Sequence, residues 1–543
     1  MEGIIGDGKN QGPCRKLSFR EAILDPDAFS VTWELVPGRG AWEESQQRVL
    51  TMAEKAAKDH RINGITITDN PGGKPAILAC GLAVEAMKYG VDPIIHFTCK
   101  DKNRNDIESE LYALARSGVE NLLVMTGDYP SEGYMGGPKP VFDLDAVQAL
   151  RLIARLNAGN DIPAYKGRMT LKATKFFPGA VVSPFKQTEA EVMTQYYKLH
   201  QKVKSGVRFI ISQLGYDARK FDELLRYVRL NGFKVPVIGN IYVLTLGAAR
   251  LMNRNAIPGC VVTDELLKIL EEESSSGGFK GKQLLRSAKL YAVMKGLGFK
   301  GVNVSGQGLS YEDVVYIIEN GEELSPRWED FLPEFDFPQR EGFYFFERGP
   351  VSPLNADRSV NRAGYESMNR RNSGNRSRRG RPISYWLLVL VHRLVFDPEA
   401  PFFPLAKGIA RLIDRSSFKG AFTLLEYFIK TLTNECRFCG DCALHDLAYI
   451  CPMSKCPKQQ RNGPCGGSYE GWCEVYPGKQ RCIYVAIYGR FKGAPQEKKL
   501  AGNYISPCNW QLYRTSSWLN YFCGRDYSGL RESLPEEGRV RDG

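Results

Sequence analysis

The residues best suited to chemistry are the cysteines near the C-terminal end of the chain. Residues 435–456, ECRFCGDCALHDLAYICPMSKC, hold five of the fourteen cysteines, and three more follow soon after. In a reducing compartment, cysteines at this density bind metal more often than they form disulfides. We therefore predict eight metal-ligating thiols: Cys436, Cys439, Cys442, Cys451, Cys456, Cys465, Cys473 and Cys482.

The spacing of these thiols resembles an iron–sulfur motif. Two residues separate Cys436 from Cys439 and Cys439 from Cys442, as in a ferredoxin-type [4Fe–4S] run, and Cys451 and Cys456 are each followed by proline. The match is partial, because eight residues separate Cys442 from Cys451. The set is large enough for two four-thiolate centres, one of which is open to tetrahedral zinc. A purely structural zinc site is the alternative.

Upstream of the cysteines, short β-branched runs alternate with amphipathic helical segments. Eight runs are predicted to be strands: Val31–Val36, Gly64–Thr68, Pro93–Thr98, Asn121–Thr126, Ala173–Val182, Arg208–Gln213, Val235–Val243 and Gly301–Ser305. Eight successive βα units favour a closed barrel, because open doubly wound sheets usually have fewer strands. The predicted fold class is α/β: a (β/α)8 TIM barrel followed by a smaller cysteine-rich, metal-binding α+β domain.

Polar residues stand where these predicted strands end. They are Glu34, Thr68 with Asp69, His96 with Thr98, Asp128, Ser183, Gln213, Asn240 and Ser305. The carboxyl ends of barrel strands form the active site in such folds, so these side chains are expected to face one cavity. Each alone is also explained as a cap of a strand end, which is a weaker explanation for the whole set.

The charge of the chain is unevenly distributed. The formal net charge is +12, and half of the excess lies in residues 352–382, where eight arginines accompany two acidic residues. This Arg/Asn/Ser/Gly composition cannot bury enough apolar surface to fold and predicts a flexible linker rather than a nucleic-acid-binding face. The longest apolar run, 385–391, is far shorter than the roughly twenty residues of a membrane span. With no signal-peptide pattern, we expect a cytoplasmic protein without a span.

These patterns predict six segments along the chain. They are an N-terminal extension (1–25), the barrel domain (26–325), an acidic and aromatic connection (326–351), the Arg-rich linker (352–382), the cysteine-rich domain (383–525) and a charged tail (526–543). Two folded domains agree with a length of 543 residues, which is too long for one hydrophobic core.

The barrel region resembles a known enzyme family. The segments VTWELVPGRG, ITITDNPGG, HFTCKDKNRNDIESELYALARSGVENLLVMTGDYP, VFDLDAVQAL and HQKVKSGVRFIISQLGYD, in this order, are similar to methylenetetrahydrofolate reductases. That family consists of flavin-dependent barrels, oxidoreductases of one-carbon metabolism and methionine biosynthesis that act on CH–NH donors. The resemblance implies reduction of 5,10-methylenetetrahydrofolate to 5-methyltetrahydrofolate.

The resemblance also assigns roles to individual residues. Glu34, in the matching E-x-x-P segment, corresponds to the general acid that protonates N10 of the substrate, so that its ring opens to an N5 iminium cation. Asp128 corresponds to a carboxylate beside the flavin that stabilises this cation. Gln213 corresponds to the glutamine that hydrogen-bonds the pterin of folate. The implied flavin-contacting residues are Thr68, His96, Met125, Thr126, Gly127, Asp128 and Lys202.

The implied cofactor is FAD, with FMN as the alternative. Thr126 stands where several family members carry arginine, and Ser183 stands where they carry a tyrosine. Both differences fall on the surfaces that bind adenine and pyridine nucleotide in the family.

The cysteine-rich block resembles the small partner protein of reductases from anaerobes. CRFCGDC, CPMSKCPK, NGPCGG and GWCEV carry this resemblance, which implies a [4Fe–4S] cluster, Zn²⁺ or both, and a module that feeds electrons to the flavin. The implied electron donor is NAD(P)H or a ferredoxin-like iron–sulfur protein, and a homo-oligomer is an open alternative. Two other readings are a metal-stabilised assembly or electron-transfer module, and a nucleic-acid binder that uses the Arg-rich linker.

Overall fold

The computed structural model describes residues 16–163, 166–361, 383–492 and 496–529. Its strands are β1 (Ser30–Leu35), β2 (Gly64–Ile67), β3 (Pro93–Thr98), β4 (Asn121–Met125), β5 (Asp161–Pro163), β6 (Arg168–Thr170), β7 (Phe177–Val182), β8 (Phe209–Ser212), β9 (Val237–Val243), β10 (Gly301–Gly306), β11 (Phe346–Arg348) and β12 (Asn355–Val360). Parallel strands close a barrel in the order β1-β10-β9-β8-β7-β4-β3-β2. The predicted TIM barrel is therefore confirmed, with β5 and β6 as an added hairpin.

Helices surround this barrel. They are α1 (Phe19–Leu24), α2 (Glu44–Lys58), α3 (Ala79–Met87), α4 (Arg104–Arg116), α5 (Ala146–Asn157), α6 (Glu189–Lys204), α7 (Ala218–Leu230), α8 (Leu246–Asn253), α9 (Asp264–Ser275), α10 (Phe279–Leu297) and α11 (Tyr311–Leu324). At many of these helices, the side chain of the residue before the first turn accepts hydrogen bonds from its free N–H groups. At α6, the Thr188 hydroxyl accepts from the N–H of Glu191, whose carboxylate accepts from the Thr188 N–H in return.

Strand alternation divides the side chains of the barrel between two environments. On β1, Trp33 and Leu35 belong to the layer between strands and helices, while Thr32 and Glu34 point into the barrel. The inner face is apolar at the N-terminal ends of the strands and polar at their C-terminal ends. This pattern leaves one end of the barrel for packing and the other for chemistry.

The short helix α1 plugs the N-terminal end of the barrel. Phe19 is fully buried and meets the rings of Phe177 and Phe209 edge-on, with centroids 6.4 and 5.0 Å away. Both rings stand at the first residues of their strands. The predicted N-terminal extension thus includes part of the barrel core.

The connection after the barrel returns to its outer surface. Residues Ser325–Phe335 form a 3-10 segment, and β11 pairs with β12 in an antiparallel hairpin. Asn355 donates to the Asp222 carboxylate on α7 at 2.8 Å. Residues 355–360 of the predicted linker therefore form a strand fixed to the barrel, and residues 362–382 lie outside the described residues.

The C-terminal part is helical and cysteine-rich. Its longer helices are Ile383–Val391, Phe403–Arg415, Lys419–Asn434 and Ile483–Lys492. The sequence predicts an α+β domain here. The described residues after 382 form no strand, however, and their only β-structure is isolated bridges at Tyr469, Trp472 and Arg481. No helix in the described part of the chain has the length and apolar character that a membrane crossing needs.

The cysteine-rich part docks against α5 and α6, near the C-terminal end of the barrel. The Asp145 carboxylate at the start of α5 accepts from the main-chain N–H groups of Arg461 (3.3 Å) and Asn462 (2.9 Å). Gln148 donates to the carbonyl oxygen of Ile505 at 2.9 Å, and Gln201 donates to that of Leu500 at 2.6 Å. These buried contacts make the two parts one packed unit.

Removing the Phe19 ring should destabilise the barrel. Phe19→Ala leaves a cavity between Phe177 and Phe209, and we expect the free energy of unfolding to fall by about 3–5 kcal/mol. The exposed Leu24 of the same helix is the control, and Leu24→Ala should cost less than about 0.5 kcal/mol. Chemical denaturation followed by tryptophan fluorescence measures both changes. Equal effects of the two substitutions would contradict the plug.

Candidate functional site

Glu34 is the acidic residue at the centre of the polar end of the barrel. Its side chain is 18% exposed, and burial raises its pKa to about 7, partly opposed by a hydrogen bond with Asn303. His96 Nε2 lies 4.0 Å from Glu34 Oε2. Burial lowers the pKa of His96 to about 4, so the imidazole is neutral and does not hold Glu34 ionised. Glu34 can therefore carry a proton near neutral pH.

A hydrogen-bond network below Glu34 fixes its neighbour Asn303. The Oδ1 atom of Asn303 accepts from the hydroxyls of Thr32 (2.8 Å) and Thr66 (3.1 Å). Its amide then donates to Asn240 Oδ1 at 3.3 Å. Because Thr32 and Thr66 orient the amide, Asn303 presents a fixed polar group to Glu34.

Four further polar atoms at the strand ends are buried without a hydrogen-bond partner. They are Thr68 Oγ1, Asp69 Oδ1, His96 Nε2 and Ser183 Oγ. A buried polar atom without a partner costs free energy, so such atoms mark places where a ligand completes the hydrogen bonding. Glu34 on β1, Thr68 just after β2 and His96 on β3 lie on neighbouring strands, so the structure brings the three residues together.

The last residue of β4 and the loop after it carry the predicted flavin contacts Met125 to Asp128. Gly127 has φ +85°, and a Cβ atom there would lie 2.9 Å from the side chain of Lys100. Only glycine therefore fits this position readily. Asp128 is exposed, and its Oδ2 atom accepts from the N–H of Gly72 at 2.8 Å, which links the loops after β2 and β4. Thr126 is buried and donates to Gln460 Oε1 at 3.0 Å.

Two predicted residues lie on the other side of the barrel end. Gln213 follows β8, and its side-chain oxygen accepts from the N–H of Leu214 at 2.9 Å, so its amide nitrogen stays available. Lys202 of α6 is buried and donates to the carbonyl oxygen of Val181. Burial and the nearby Lys198 lower the pKa of Lys202 to about 7. Lys202 thus links α6 to the main chain of β7.

The eight predicted metal-ligating cysteines divide into two groups of four. The first set, Cys436, Cys439, Cys442 and Cys451, lines one cavity. The second set, Cys456, Cys465, Cys473 and Cys482, lines another. The division follows chain order, although the sequence left the assignment of each thiol open.

Burial raises the pKa of six of these thiols, and nearby main-chain N–H groups partly oppose that rise. Main-chain N–H groups a few residues downstream interact with Cys436, Cys442, Cys451, Cys456, Cys465 and Cys482. Such donors stabilise a negatively charged sulfur and tune metal–sulfur centres. Among the described residues, however, no three His, Cys, Asp or Glu side chains gather closely enough to hold a single metal ion.

Buried lysines surround the second set, and sequence reasoning missed them. Lys186 donates to the carbonyl oxygen of Ser468 at 2.6 Å, and Lys198 donates to that of Pro464 at 2.9 Å. Both side chains are nearly fully buried and bind main-chain oxygens close to Cys465. Each partner lies more than 260 residues away in the chain, so no local pattern indicates the pairing.

Lys458 connects the second set to the barrel. Its ammonium group forms an ion pair with Glu474 and donates to the carbonyl oxygen of Gly127 at 2.8 Å. Lys458 and Glu474 line the same cavity as the second set. One buried side chain therefore joins this cavity to the loop predicted to contact a flavin.

Comparison with known families identifies both parts of the chain. A family model described as methylenetetrahydrofolate reductase matches residues 20–276. A second model, described as the C-terminal part of methylene-tetrahydrofolate reductase, matches residues 417–511. Together the two matches cover more than half of the chain.

Individual relatives are more distant. Methylenetetrahydrofolate reductase 2 of Saccharomyces cerevisiae is 27% identical over 189 residues, which are 34% of this chain and 30% of that protein. A probable methylenetetrahydrofolate reductase (NADH) of Oryza sativa subsp. japonica is 27% identical over 184 residues, again 34% of this chain and 30% of that protein. The chain thus spans about 30% of the length of these relatives.

A solved structure is also similar. It is an uncharacterized protein from Clostridium thermocellum that binds two copies of 5-methyl-5,6,7,8-tetrahydrofolic acid. The identity is 14% and the TM-score is 0.40, over 57% of this chain and 99% of that one.

Breaking the Lys458 ion pair should destabilise the buried wall of the second cavity. Lys458→Met leaves the Glu474 carboxylate buried without its cation, which should lower the free energy of unfolding by about 3–5 kcal/mol. Adding Glu474→Gln should recover most of this loss, because no buried charge remains. Lys455→Met is the control, since Lys455 is 38% exposed and its pair with Glu435 is worth about 1 kcal/mol or less. Chemical denaturation measures all three, and a control-sized loss for Lys458→Met would contradict a stabilising role of the buried ion pair.

Proposed function

Because the chain belongs to the methylenetetrahydrofolate reductase family, we propose that it reduces 5,10-methylenetetrahydrofolate to 5-methyltetrahydrofolate. The observation that carries the proposal is Glu34 with its pKa raised to about 7, beside the unpartnered atoms of Thr68 and His96. A protonated carboxyl group is what ring opening of this substrate requires, and the unpartnered atoms provide hydrogen bonds for a bound heterocycle.

Glu34 serves as the general acid. An acid works best when its pKa lies near the working pH, and an unperturbed glutamate at pH 7 would almost always be ionised. Burial raises the pKa of Glu34 to about 7, so a large fraction of the carboxyl group keeps its proton at neutral pH. The neutral His96 supports the assignment, because a charged imidazole 4.0 Å away would return Glu34 to its ionised form.

The C-terminal end of the barrel provides the residues for a flavin. When bound, the flavin supplies the hydride that reduces the opened substrate. Thr68, His96 and Ser183 offer unpartnered buried atoms, and Gly127 keeps its loop free of a side chain. Asp128 places a carboxylate at the exposed edge of this loop. Gln213 offers an amide nitrogen to the pterin. FAD is the expected form, and FMN is the alternative.

The two cysteine sets suit two [4Fe–4S] clusters, which carry single electrons when bound. Each set lines its own cavity and offers the four thiols that one such cluster requires. Lys186 and Lys198 place buried positive charge near the second set, where a net negative cluster would compensate it.

The second set is the one that adjoins the predicted flavin loop. Lys458 lines its cavity and binds the carbonyl oxygen of Gly127. The first set adjoins the helix Lys419–Asn434 instead. This order favours an electron donor that meets the protein at the first set, with NAD(P)H or an iron–sulfur protein as the two candidate donors.

Glu34→Gln should abolish turnover while the flavin still binds. The substitution keeps size and hydrogen bonding but removes the acidic proton, so kcat/KM for methylenetetrahydrofolate should fall at least about 100-fold. Reduction of the bound flavin by dithionite should remain. Glu120→Gln, at the opposite end of the barrel, is the control and should leave turnover unchanged.

The pH dependence offers a second check of Glu34. The active form is the protonated one, so its population declines as the pH rises through the pKa of about 7. Wild-type kcat/KM should therefore fall about tenfold per pH unit above that value. The Glu34→Gln variant should lose this dependence, and a wild-type profile that is flat to pH 9 would remove Glu34 from the acid role.

Substitution of one cysteine in each set tests the division into two centres. We expect about eight iron atoms and eight acid-labile sulfides per chain after anaerobic purification. Cys436→Ser and Cys473→Ser should each remove half of the iron. Two substitutions in the same set, Cys436→Ser with Cys442→Ser, should also remove only half. One substitution in each set, Cys436→Ser with Cys473→Ser, should remove nearly all of it. Cys80→Ser, outside both sets, should keep the full content. Stoichiometric zinc without iron would contradict the proposal.

A further inference from the structure

One segment of the cysteine-rich part lies along the C-terminal end of the barrel. It consists of residues 458–468, and we call it the crossing segment. Its first residue, Lys458, donates to the carbonyl oxygen of Gly127 in the loop after β4 at 2.8 Å. Two residues later, the side-chain oxygen of Gln460 accepts from the Thr126 hydroxyl at 3.0 Å. The crossing segment thus begins at the loop that carries the predicted flavin contacts.

Buried barrel side chains hold the middle of the crossing segment by its main chain. The Asp145 carboxylate at the start of α5 accepts from the N–H of Asn462 at 2.9 Å. Lys198 of α6 donates to the carbonyl oxygen of Pro464 at 2.9 Å. Because these bonds reach main-chain atoms, they fix the path of the segment itself and not only its side chains.

Lys186 fixes the end of the crossing segment. It follows β7 and is 3% exposed. Its ammonium group donates to the carbonyl oxygens of Gly466 and Ser468, the latter at 2.6 Å. A buried ammonium group requires such partners, so Lys186 and the two carbonyl groups hold one another in place.

Gly259 lets the end of the crossing segment approach Gln213. Gly259 has φ +80°, and a Cβ atom there would lie 3.2 Å from the carbonyl oxygen of Gly466 and 3.5 Å from the amide nitrogen of Gln213. Both groups therefore border the same small space, which is open because residue 259 has no side chain. Gln213 is the residue predicted to hydrogen-bond the pterin of folate.

We propose that the crossing segment forms one wall of the folate site, beside Gln213. The proposal rests on the proposed function, which assigns the pterin to Gln213. A pterin ring carries N–H donors on one edge, and a carbonyl oxygen has two lone pairs, so Gly466 can accept from the pterin as well as from Lys186. Lys186 is then a positioning residue, because it acts on the pterin through the Gly466 carbonyl group.

This wall places the folate site next to the second cysteine set. Cys465 directly precedes Gly466 in the crossing segment and lines the cavity of the second set. The same stretch of main chain therefore borders the predicted flavin loop at one end and the predicted pterin residue at the other, with a thiol of the second set between them.

Binding of 5-methyltetrahydrofolate to the intact, anaerobically purified protein tests the wall. Gly259→Ala puts a methyl group into the space that Gly466 and Gln213 border, so the dissociation constant should rise at least about tenfold. Gly232→Ala is the matched control, because Gly232 also has a positive φ (+67°) but a Cβ atom there would meet no atom within 4 Å. It should leave the dissociation constant unchanged. Isothermal titration calorimetry measures both.

Lys186→Met tests the positioning residue. Without the ammonium group the Gly466 carbonyl loses its support, so KM for methylenetetrahydrofolate should rise about tenfold while kcat changes little. Lys300→Met is the control, because Lys300 also donates to main-chain oxygens, including that of Pro26 at 3.1 Å, but does so at the opposite end of the barrel. It should leave KM unchanged. A rise in KM of equal size in both variants would contradict the positioning role.

Hydrogen–deuterium exchange of the wild type gives a readout that does not depend on any variant folding. Addition of 5-methyltetrahydrofolate should slow exchange of the main-chain N–H groups in residues 465–468. Exchange there that the ligand leaves unchanged, or equal dissociation constants for Gly259→Ala and Gly232→Ala, would overturn the inference and leave the proposed reaction intact. A wild type that does not bind 5-methyltetrahydrofolate at all would contradict the proposed function, and this inference with it.

Discussion

The buried carboxylate of Asp145 is the contact on which the arrangement of the two parts depends. One of its oxygens begins α5 by accepting from the N–H groups of Val147 and Gln148 at 2.9 and 3.1 Å. The other accepts from Arg461 and Asn462 of the cysteine-rich part. Because the same group caps a barrel helix and holds the segment between Cys456 and Cys465, the barrel cannot shift without moving that segment. The loop after β4 and the second set are therefore held in a fixed position relative to each other.

Arg461 connects the segment held by Asp145 to the rest of the cysteine-rich part. Its guanidinium pairs with Asp441 at 3.2 Å, and Asp441 in turn accepts from the N–H groups of Asn509 (3.0 Å) and Tyr527 (2.9 Å). Asp441 lies between two cysteines of the first set. A chain of buried polar contacts thus runs from the barrel through the second set to the first. The side chains of Asp145, Arg461 and Asp441 are all buried, and their mutual contacts offset the cost of burying these charges.

The parts of this structure that were predictable from the sequence are those governed by local periodicity. All eight barrel strands are present, because strands buried on both faces appear as uninterrupted apolar or β-branched runs. The longest prediction, Ala173–Val182, begins in the structure at Phe177, where pairing with β4 starts. Glu34, Thr68 and His96 also lie at the carboxyl ends of barrel strands, as the sequence pattern predicts. The strand at 355–360 falls within the predicted linker, because its anchor, Asp222, lies far away in sequence and leaves no local signal.

Long-range pairing explains why other features had no sequence signal. Lys186 and Lys198 appear as ordinary surface lysines until their carbonyl partners are located, and the division of the eight cysteines depends on how the intervening loops fold. The helix Lys419–Asn434 is the sharpest case. Its periodicity indicates an apolar side that packs against the core, yet Glu426 and Lys430 occupy the inner side, since they complete the wall of the first cavity with Ser516 and Ser517. Once those charges face inward, the geometry of the helix forces its leucines outward, so the requirement of the cysteine cavity is what creates the apolar surface.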